Sequence, residues 1–195
     1  MGKDQIQMMI SNDKGINLLR DNLVSVIEHH ADRTPDKTVY VFLEDGENER
    51  ERVSCAGISV RSKAIAASLC GIGSRGDRVL LLFPTGIDFI LALYGCFYAG
   101  MIAVPAYPPR KKRINRRFRA IIGNAQPSVI LTTRKIKKDL EALTGDIPEL
   151  GELVMLAIED VADKMSDEWA DPGLNGNDLA MIQYTSGSTG EPNGV

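Results

Sequence analysis

A continuous apolar run from Val79 to Phe83 constrains the fold of this chain more than any other feature. A strand that is covered on both faces shows no polar alternation, and such strands are typical of parallel sheets with helices on both sides. Strand-like and helical segments alternate from this run onward, which predicts right-handed βαβ units. The sequence therefore predicts an α/β fold, a βαβ-type, mostly parallel sheet flanked by helices.

The individual elements are predicted from hydrophobic periodicity and from capping and turn residues. Helices are predicted at Leu18–Ala31, Ser54–Cys70, Gly86–Ala99, Lys111–Asn124 and Arg134–Leu143. Strands are predicted at Thr38–Leu43, Glu51–Ser54, Arg78–Phe83, Met101–Ala106, Ser128–Thr132, Leu153–Ala157 and Leu179–Gln183. The first two strands are expected to form a hairpin. The domain organisation that follows is a polar lead at residues 1–17 and one domain at residues 18–195.

Charge and cysteine usage exclude several classes of function. A formal net charge of −3 argues against a strongly cationic nucleic-acid-binding protein. Cys55, Cys70 and Cys96 have no Cys-x-x-Cys spacing, and reduced thiols in a cytoplasmic protein explain them. With His29 and His30 as the two imidazoles of the chain, we expect no zinc site and assign neither histidine a catalytic role.

The segment Phe89–Pro109 carries no charged residue and is long enough to cross a bilayer. However, Gly95, Gly100, Pro105 and the terminal proline pair interrupt it. We therefore expect a buried helix that ends near Gly100, followed by a short buried strand, and no membrane span.

A glycine pattern typical of dinucleotide-binding proteins occurs at Gly71-Ile-Gly73-Ser-Arg-Gly76. That fingerprint must follow a strand and open a helix, so that the pyrophosphate meets the helix N-terminus. Here a predicted helix precedes the glycines and a predicted strand follows them. The segment is predicted to be a structural turn between helix and strand.

A basic run at Arg110–Arg119 contains seven cationic side chains in ten residues. One interpretation is a surface for an anionic partner such as nucleic acid, phosphopantetheine or an acidic carrier protein. The favoured interpretation is a solvated helix face whose apolar side is buried. The residues of that apolar side are Ile114, Phe118, Ile121 and Ile122. Since Phe118 is the one aromatic residue in the run, a base-stacking surface for nucleic acid is not expected.

Hydroxyl side chains are interleaved with glycines in the segment after the last predicted strand. Glycine lets backbone N–H groups turn toward an anion, and Ser and Thr hydroxyls add uncharged donors. The segment lacks the Gly-Lys-Ser/Thr of a Walker A motif. It nevertheless predicts a loop that binds a polyphosphate. The candidate contacts are Thr185, Ser186, Gly187, Ser188, Thr189 and Gly190.

The full string Tyr184-Thr-Ser-Gly-Ser-Thr-Gly-Glu-Pro-Asn-Gly-Val195 resembles the phosphate-binding signature of the adenylate-forming (AMP-binding) enzymes. The strings Gly76–Pro84, Phe89–Gly100 and Ala103–Arg110 are similar to the fatty acyl-AMP ligase branch of that superfamily. The Ala-Val-Pro-Ala-Tyr-Pro-Pro part is the most characteristic of them. The resemblance extends from about Leu18 to Val195 and implies the first part of the large domain of such an enzyme.

The resemblance implies a ligase that activates a fatty acid with ATP and Mg²⁺ to an acyl-adenylate and pyrophosphate. The acyl group is then expected to pass to the thiol of an acyl carrier protein. Family members place the adenine and ribose contacts, the acyl tunnel and a catalytic lysine further along the chain. We therefore expect no catalytic residue within these 195 residues and no adenylate formation by this piece alone.

Two alternatives to the carrier-dependent ligase remain open. The parent protein could be a coenzyme A ligase, which the Tyr107-Pro-Pro109 string disfavours. The chain could instead be a non-catalytic domain that binds an anionic partner through Arg110–Arg119.

An incomplete sheet would also expose unpaired N–H and C=O groups, so marginal stability or self-association is expected.

One position departs from the family pattern. The family usually carries lysine where this chain has Asn193. Lysine offers phosphate a mobile positive charge, whereas asparagine offers a neutral amide. Because charge-assisted hydrogen bonds are stronger than neutral ones, we expect weaker stabilisation of pyrophosphate here.

Overall fold

The computed structural model describes residues 22–109, 116–186 and 192–195 of the chain. Within these ranges the helices are α1 (Leu23–Arg33), α2 (Cys55–Cys70), α3 (Ile87–Ala99), α4 (Arg116–Ala125) and α5 (Arg134–Glu141). The strands are β1 (Thr38–Leu43), β2 (Glu49–Ser54), β3 (Arg78–Leu82), β4 (Ile102–Ala106), β5 (Val129–Thr132), β6 (Val154–Ala157), β7 (Tyr184–Ser186) and β8 (Pro192–Gly194). Short 3-10 helices lie at Pro148–Glu152, Ile158–Asp160 and Asp163–Glu168.

A four-stranded parallel sheet forms the centre of the fold, in the order β4-β3-β5-β6. Leu80 in β3 pairs with Val104 of β4 on one side and with Ile130 of β5 on the other. Residues Val79 to Leu82 are each 0% exposed, because strands flank β3 on both sides and helices cover both faces. The predicted α/β fold is confirmed. The predicted hairpin of β1 and β2 is present as a separate antiparallel pair.

Alternate residues of β3 face opposite sides of the sheet, as the two-residue repeat of a strand requires. Val79 and Leu81 pack into the core beneath α1, α2 and α3. Leu80 and Leu82 pack into a second core beneath α4 and α5. The continuous apolar run therefore contributes side chains to the cores on both faces of the sheet.

Side-chain caps begin three of the helices. Asn22, Ser54 and Thr133 each accept a hydrogen bond from the backbone N–H three residues further on, which satisfies an otherwise unpaired donor of the first turn. The helices predicted to begin at Leu18 and Lys111 are described from Leu23 and Arg116. Their first predicted residues, 18–21 and 111–115, lie outside the described residues.

The dinucleotide-like glycine segment is a turn between helix and strand, as predicted. Gly71 follows the last residue of α2, and β3 begins two residues after Gly76. The uncharged segment after Phe89 forms part of α3 and then β4. Among the described residues, no helix has the length and apolar character needed to cross a membrane.

The predicted strand Leu179–Gln183 is reduced to one residue that pairs with the sheet. Met181 bridges Ala103 of β4 in parallel orientation. Ala103 N–H donates to Ala180 O at 3.0 Å, and its carbonyl accepts from Ile182 N–H at 2.9 Å. The next donor in a parallel ladder would be residue 105, two positions along β4. Because Pro105 has no N–H, the ladder ends there.

Candidate functional site

The segment after this bridge leads to the carboxyl end of the sheet. Since the Met181–Ala103 bridge is parallel, the chain here runs in the same direction as β4. Tyr184 follows three residues later and belongs to the second core, and its strand β7 contacts β4. In open α/β sheets, ligands bind outside the carboxyl ends of the strands. The predicted phosphate loop therefore begins at the ligand-binding edge of this kind of sheet.

The loop is carried by a short antiparallel hairpin. Its strands β7 and β8 pair as Tyr184–Gly194, Thr185–Asn193 and Ser186–Pro192. At its base, Gln183 N–H donates to Val195 O at 2.8 Å and Val195 N–H donates to Gln183 O at 3.0 Å. The hairpin is thus closed on the side that faces the sheet.

Gly194 allows the hairpin to pack closely. A Cβ atom at this position would lie 2.8 Å from Ile182 Cγ2 and 3.3 Å from Tyr184 Cζ. Separations this short would force the side chains apart, so glycine keeps β8 against its neighbours.

Tyr184 fixes the start of the hairpin in the second core. The residue is 7% exposed, and its hydroxyl donates to Asn124 Oδ1 at 2.5 Å. Burial raises the pKa of the Tyr184 phenol, and the nearby Arg78 charge opposes this without reversing it. The phenol is therefore protonated at neutral pH and acts as the donor to Asn124.

Helix α4 also holds the backbone of the hairpin. Arg117 donates from Nη2 to Tyr184 O at 3.1 Å. At the other end of α4, Arg78 of β3 donates to the carbonyls of Ala125 and Gln126. A guanidinium at a helix C-terminus satisfies carbonyls that have no partner within the helix. Helix α4 is thus fixed to the sheet and in turn supports the hairpin.

The six predicted phosphate contacts are only partly within the described residues. Thr185 is exposed and pairs with Asn193, and Ser186 ends β7. The side chain of Ser186 and the residues Gly187, Ser188, Thr189 and Gly190 lie outside the described part of the chain. Their assignment as phosphate contacts stays a prediction.

The basic run has a buried apolar side in its described half. The buried members are Phe118, Ile121 and Ile122, whereas Ile114 lies outside the described residues. Arg117 donates to Tyr184 O, and Arg119 donates to the carbonyl of Asp146. Two arginines that bind the protein's own carbonyls offer less to an external anion, which favours the solvated-face interpretation.

Within residues 22–109, 116–186 and 192–195, no group of three or more His, Cys, Asp and Glu side chains is placed to hold a metal ion. All three cysteines are free thiols, with Cys55 and Cys96 buried and Cys70 exposed. Burial raises the pKa of the Cys96 thiol and, less strongly, that of Cys70. Neither group is therefore an activated nucleophile.

Sequence reasoning missed the two residues that support the hairpin, Arg117 and Asn124. In the sequence, Arg117 is only part of a charged run and Asn124 only the end of a predicted helix. The one usable signal is their spacing of seven residues, which places both on the same helix face. That spacing does not reveal which segment they contact.

This chain is similar to known proteins over most of its length. The family of AMP-binding enzymes matches residues 27–195. The medium-chain fatty acid–[acyl-carrier-protein] ligase JamA of Moorena producens is 37% identical over 177 residues, which are 89% of this chain and 30% of JamA. The long-chain fatty acid–AMP ligase FadD32 of Mycolicibacterium smegmatis is 35% identical over 89% of this chain and 28% of its own length.

A solved structure gives the same result in three dimensions. The fatty acyl-adenylate ligase from L. pneumophila, in complex with acyl adenylate and pyrophosphate, superimposes with a TM-score of 0.79 at 36% identity. The match covers 89% of this chain and 29% of that protein. This chain thus spans about 30% of the length of the relatives it matches. By the extent of the family match and the agreement of the fold, the chain belongs to the AMP-binding enzyme family.

Proposed function

We propose that residues 18–195 are the first part of a fatty acyl-AMP ligase domain and that Thr185–Gly190 hold the β- and γ-phosphates of ATP. The observation that carries the proposal is the position of the hairpin. Strands β7 and β8 follow a segment that runs parallel to β4, and in the sequence of this member of an AMP-binding family the hydroxyl and glycine residues lie within and after β7. Residues 1–17 are proposed to be a lead outside the domain.

In the proposed reaction a carboxylate oxygen of the fatty acid attacks the α-phosphorus of ATP. The bond from that phosphorus to the oxygen shared with the β-phosphate breaks, and acyl-adenylate and pyrophosphate are formed. Negative charge increases on the departing pyrophosphate. Backbone N–H groups and the hydroxyls of Thr185, Ser186, Ser188 and Thr189 would stabilise that charge without needing to reorganise.

The donor set of the loop fits phosphate better than it fits a cation. Hydroxyl and N–H groups donate hydrogen bonds to phosphate oxygens, whereas Mg²⁺ prefers carboxylate, phosphate and water oxygens. We therefore propose that Mg²⁺ arrives on the phosphates of the nucleotide. When bound, it would neutralise part of the charge on the leaving group.

An acyl carrier protein is the proposed acceptor. Its thiol sulfur would attack the acyl carbonyl of the adenylate, AMP would leave, and a thioester would form. The proposal is supported by the similarity to JamA, whose name describes a ligase for acyl carrier protein. Transfer to coenzyme A at a rate equal to that for a carrier-protein thiol would contradict it.

The cytoplasm is the proposed location, because this chemistry uses ATP and the chain carries three free thiols.

We further propose that this chain alone binds nucleotide phosphates but does not form adenylates. It spans about 30% of its relatives, so most of the reacting groups of a ligase are expected from sequence beyond these residues. The test combines calorimetric titration with pyrophosphate and ATP–pyrophosphate exchange with a medium-chain fatty acid. Binding without exchange is expected. Exchange by the chain above that of a Ser186→Ala control would refute the second half of the proposal.

A chimera tests the function of the loop directly. The chain would replace the matching first part of JamA, so that the remaining groups of a ligase are present. Exchange is expected in the chimera, with a loss of about tenfold or more on Ser186→Ala, as for a donor that acts on developing charge. An active chimera that is insensitive to Ser186→Ala would contradict the proposed role of the loop.

A further inference from the structure

We propose that Arg117 and Asn124 are positioning residues of the phosphate loop, because together they fix the first strand of its hairpin against α4. The inference rests on the proposed function of that loop. It concerns two residues of the basic helix that do not themselves belong to the loop. Both act on a single residue, Tyr184, immediately before the first predicted phosphate contact.

Arg117 binds a backbone group that the hairpin leaves free. Gln183 and Val195 exchange both of their backbone hydrogen bonds. In an antiparallel pair, hydrogen-bonded and non-hydrogen-bonded positions alternate, so Tyr184 and Gly194 form a non-hydrogen-bonded pair. The carbonyl of Tyr184 therefore points away from β8. The Arg117 guanidinium satisfies it with a charge-assisted bond of 3.1 Å.

Asn124 binds the side chain of the same residue. The phenol of Tyr184 crosses the second core and donates to Asn124 Oδ1 at 2.5 Å. Arg117 and Asn124 are seven residues apart, which is two turns of helix and one face. The same face of α4 thus holds both the backbone and the side chain of Tyr184, and two separated contacts restrict rotation as well as translation.

The support is itself fixed in place. Arg78 binds the C-terminal carbonyls of α4, and Arg119 binds the carbonyl of Asp146 in the segment after α5. Phe118, Ile121 and Ile122 anchor the buried side of the helix. A binding group on a rigid support loses less conformational freedom when its ligand binds. The expected benefit of Arg117 and Asn124 is therefore affinity for phosphate rather than stability of the whole domain.

The test uses the full chain with Arg117→Ala, Asn124→Ala, Tyr184→Phe and the double variant Asn124→Ala/Tyr184→Phe. Arg116→Ala is the matched control. It removes the same charge from the adjacent, exposed position. Two quantities are measured: pyrophosphate affinity by titration calorimetry, and hydrogen exchange of the Gln183–Ser186 and Asn193–Val195 amides in the ligand-free chain.

Each variant at Asn124 or Tyr184 is expected to weaken pyrophosphate binding about threefold, and Arg117→Ala about tenfold, as for the loss of one neutral and one charge-assisted bond. The double variant should bind no more weakly than its single parents, since both remove the same bond. Amide exchange in the hairpin should increase in all of them. The melting temperature should fall by about 4 °C or less. Arg116→Ala should leave affinity and exchange close to those of the unaltered chain.

Three results would overturn the inference: unchanged exchange in the hairpin, equal weakening by Arg116→Ala and Arg117→Ala, or a lower melting temperature with unaltered affinity. The second would indicate long-range attraction by charge, and the third a purely structural role. Failure of the proposed function is distinguishable, because the unaltered chain would then show no affinity for pyrophosphate. In that case hydrogen exchange alone would decide whether the two side chains hold the hairpin.

Discussion

Half-buried Glu28 of α1 is joined to two other helices by three hydrogen bonds. Its carboxylate accepts from Ser59 Oγ at 2.5 Å, from Tyr98 OH at 2.7 Å and from Lys63 Nζ. Burial alone raises the pKa of the carboxyl group. The bonds from Lys63, Ser59 and Tyr98 outweigh burial and hold the pKa below its ordinary value of 4.5. One ionised side chain therefore connects α1 with α2 and α3.

We predict that Glu28→Gln lowers the free energy of unfolding at pH 7 by about 1–3 kcal/mol, because a paired charge is lost from a partly buried network. The folded-state pKa of Glu28 lies below the unfolded value. Its contribution is therefore complete above pH 4.5 and is lost as the pH falls through the folded pKa. Urea unfolding between pH 3 and pH 7 should show a smaller acid-induced loss in Glu28→Gln. Glu47→Gln, in an exposed turn, is the control, and identical pH dependence in the two variants would contradict the prediction.

Asn193 occupies the position at which the family usually carries lysine. Its backbone pairs with that of Thr185, the first predicted phosphate contact. We predict that Asn193→Lys tightens pyrophosphate binding about threefold to tenfold, because an ammonium adds a charge-assisted contact. The gain should shrink in high salt. Titration calorimetry at two salt concentrations would check this, and an affinity that does not change would argue against proximity to phosphate.

At the scale of elements, the sequence predicts those that depend on their own residues and does not predict features that depend on tertiary contacts. The apolar run Val79–Phe83 predicts a parallel strand covered on both faces, because the residues that face each side of the sheet are all apolar. The reduction of the predicted strand Leu179–Gln183 to one bridging residue could not be predicted in this way. Its ladder ends because of Pro105, which lies in a different strand, and no property of Leu179–Gln183 itself reports that. The candidate loop was found from its composition, whereas its support by Arg117 and Asn124 depends on tertiary contacts.

The packing of α2 on α3 depends on a glycine. A Cβ atom at Gly95 would lie 2.3 Å from Ile65 Cγ2 and 2.8 Å from Ile65 Cβ. We predict that Gly95→Ala destabilises the chain by about 1–3 kcal/mol, because overpacking exceeds the gain in helix propensity. Gly123→Ala in α4 is the matched control, since an added Cβ there meets nothing within 4 Å. It should stabilise by about 0.5–1 kcal/mol. Denaturant unfolding measures both changes, and equal signs would contradict the prediction.

At the scale of the whole molecule, strand β1 presents a row of apolar side chains to solvent. Val39, Val41 and Leu43 are 44%, 48% and 39% exposed. The residues between them, Tyr40 and Phe42, pack against the first core. The outward side chains alternate with the inward ones along one strand and therefore form a continuous surface.

We predict that the chain self-associates with increasing concentration through this row, since adjacent exposed apolar side chains favour contact between copies. Val41→Glu should reduce the association seen by sedimentation velocity, because it replaces the central apolar side chain of the row with a charged group that is costly to bury between copies. Val60→Glu changes the same residue type on α2, where Val60 is 41% exposed, and should have little effect. A monodisperse monomer at all concentrations would contradict the prediction.

Pro105 has a consequence for how the sheet can grow. A foreign strand that approached the outer side of β4 would find Ala103 already bonded and no donor at residue 105. Proline on an edge strand blocks further pairing and so protects against edge-to-edge aggregation. The described residues place no strand beyond β6 at the other edge, where Val154 is 47% exposed. Extension of this sheet by an added strand, whether accidental or designed, should therefore proceed from β6 and not from β4.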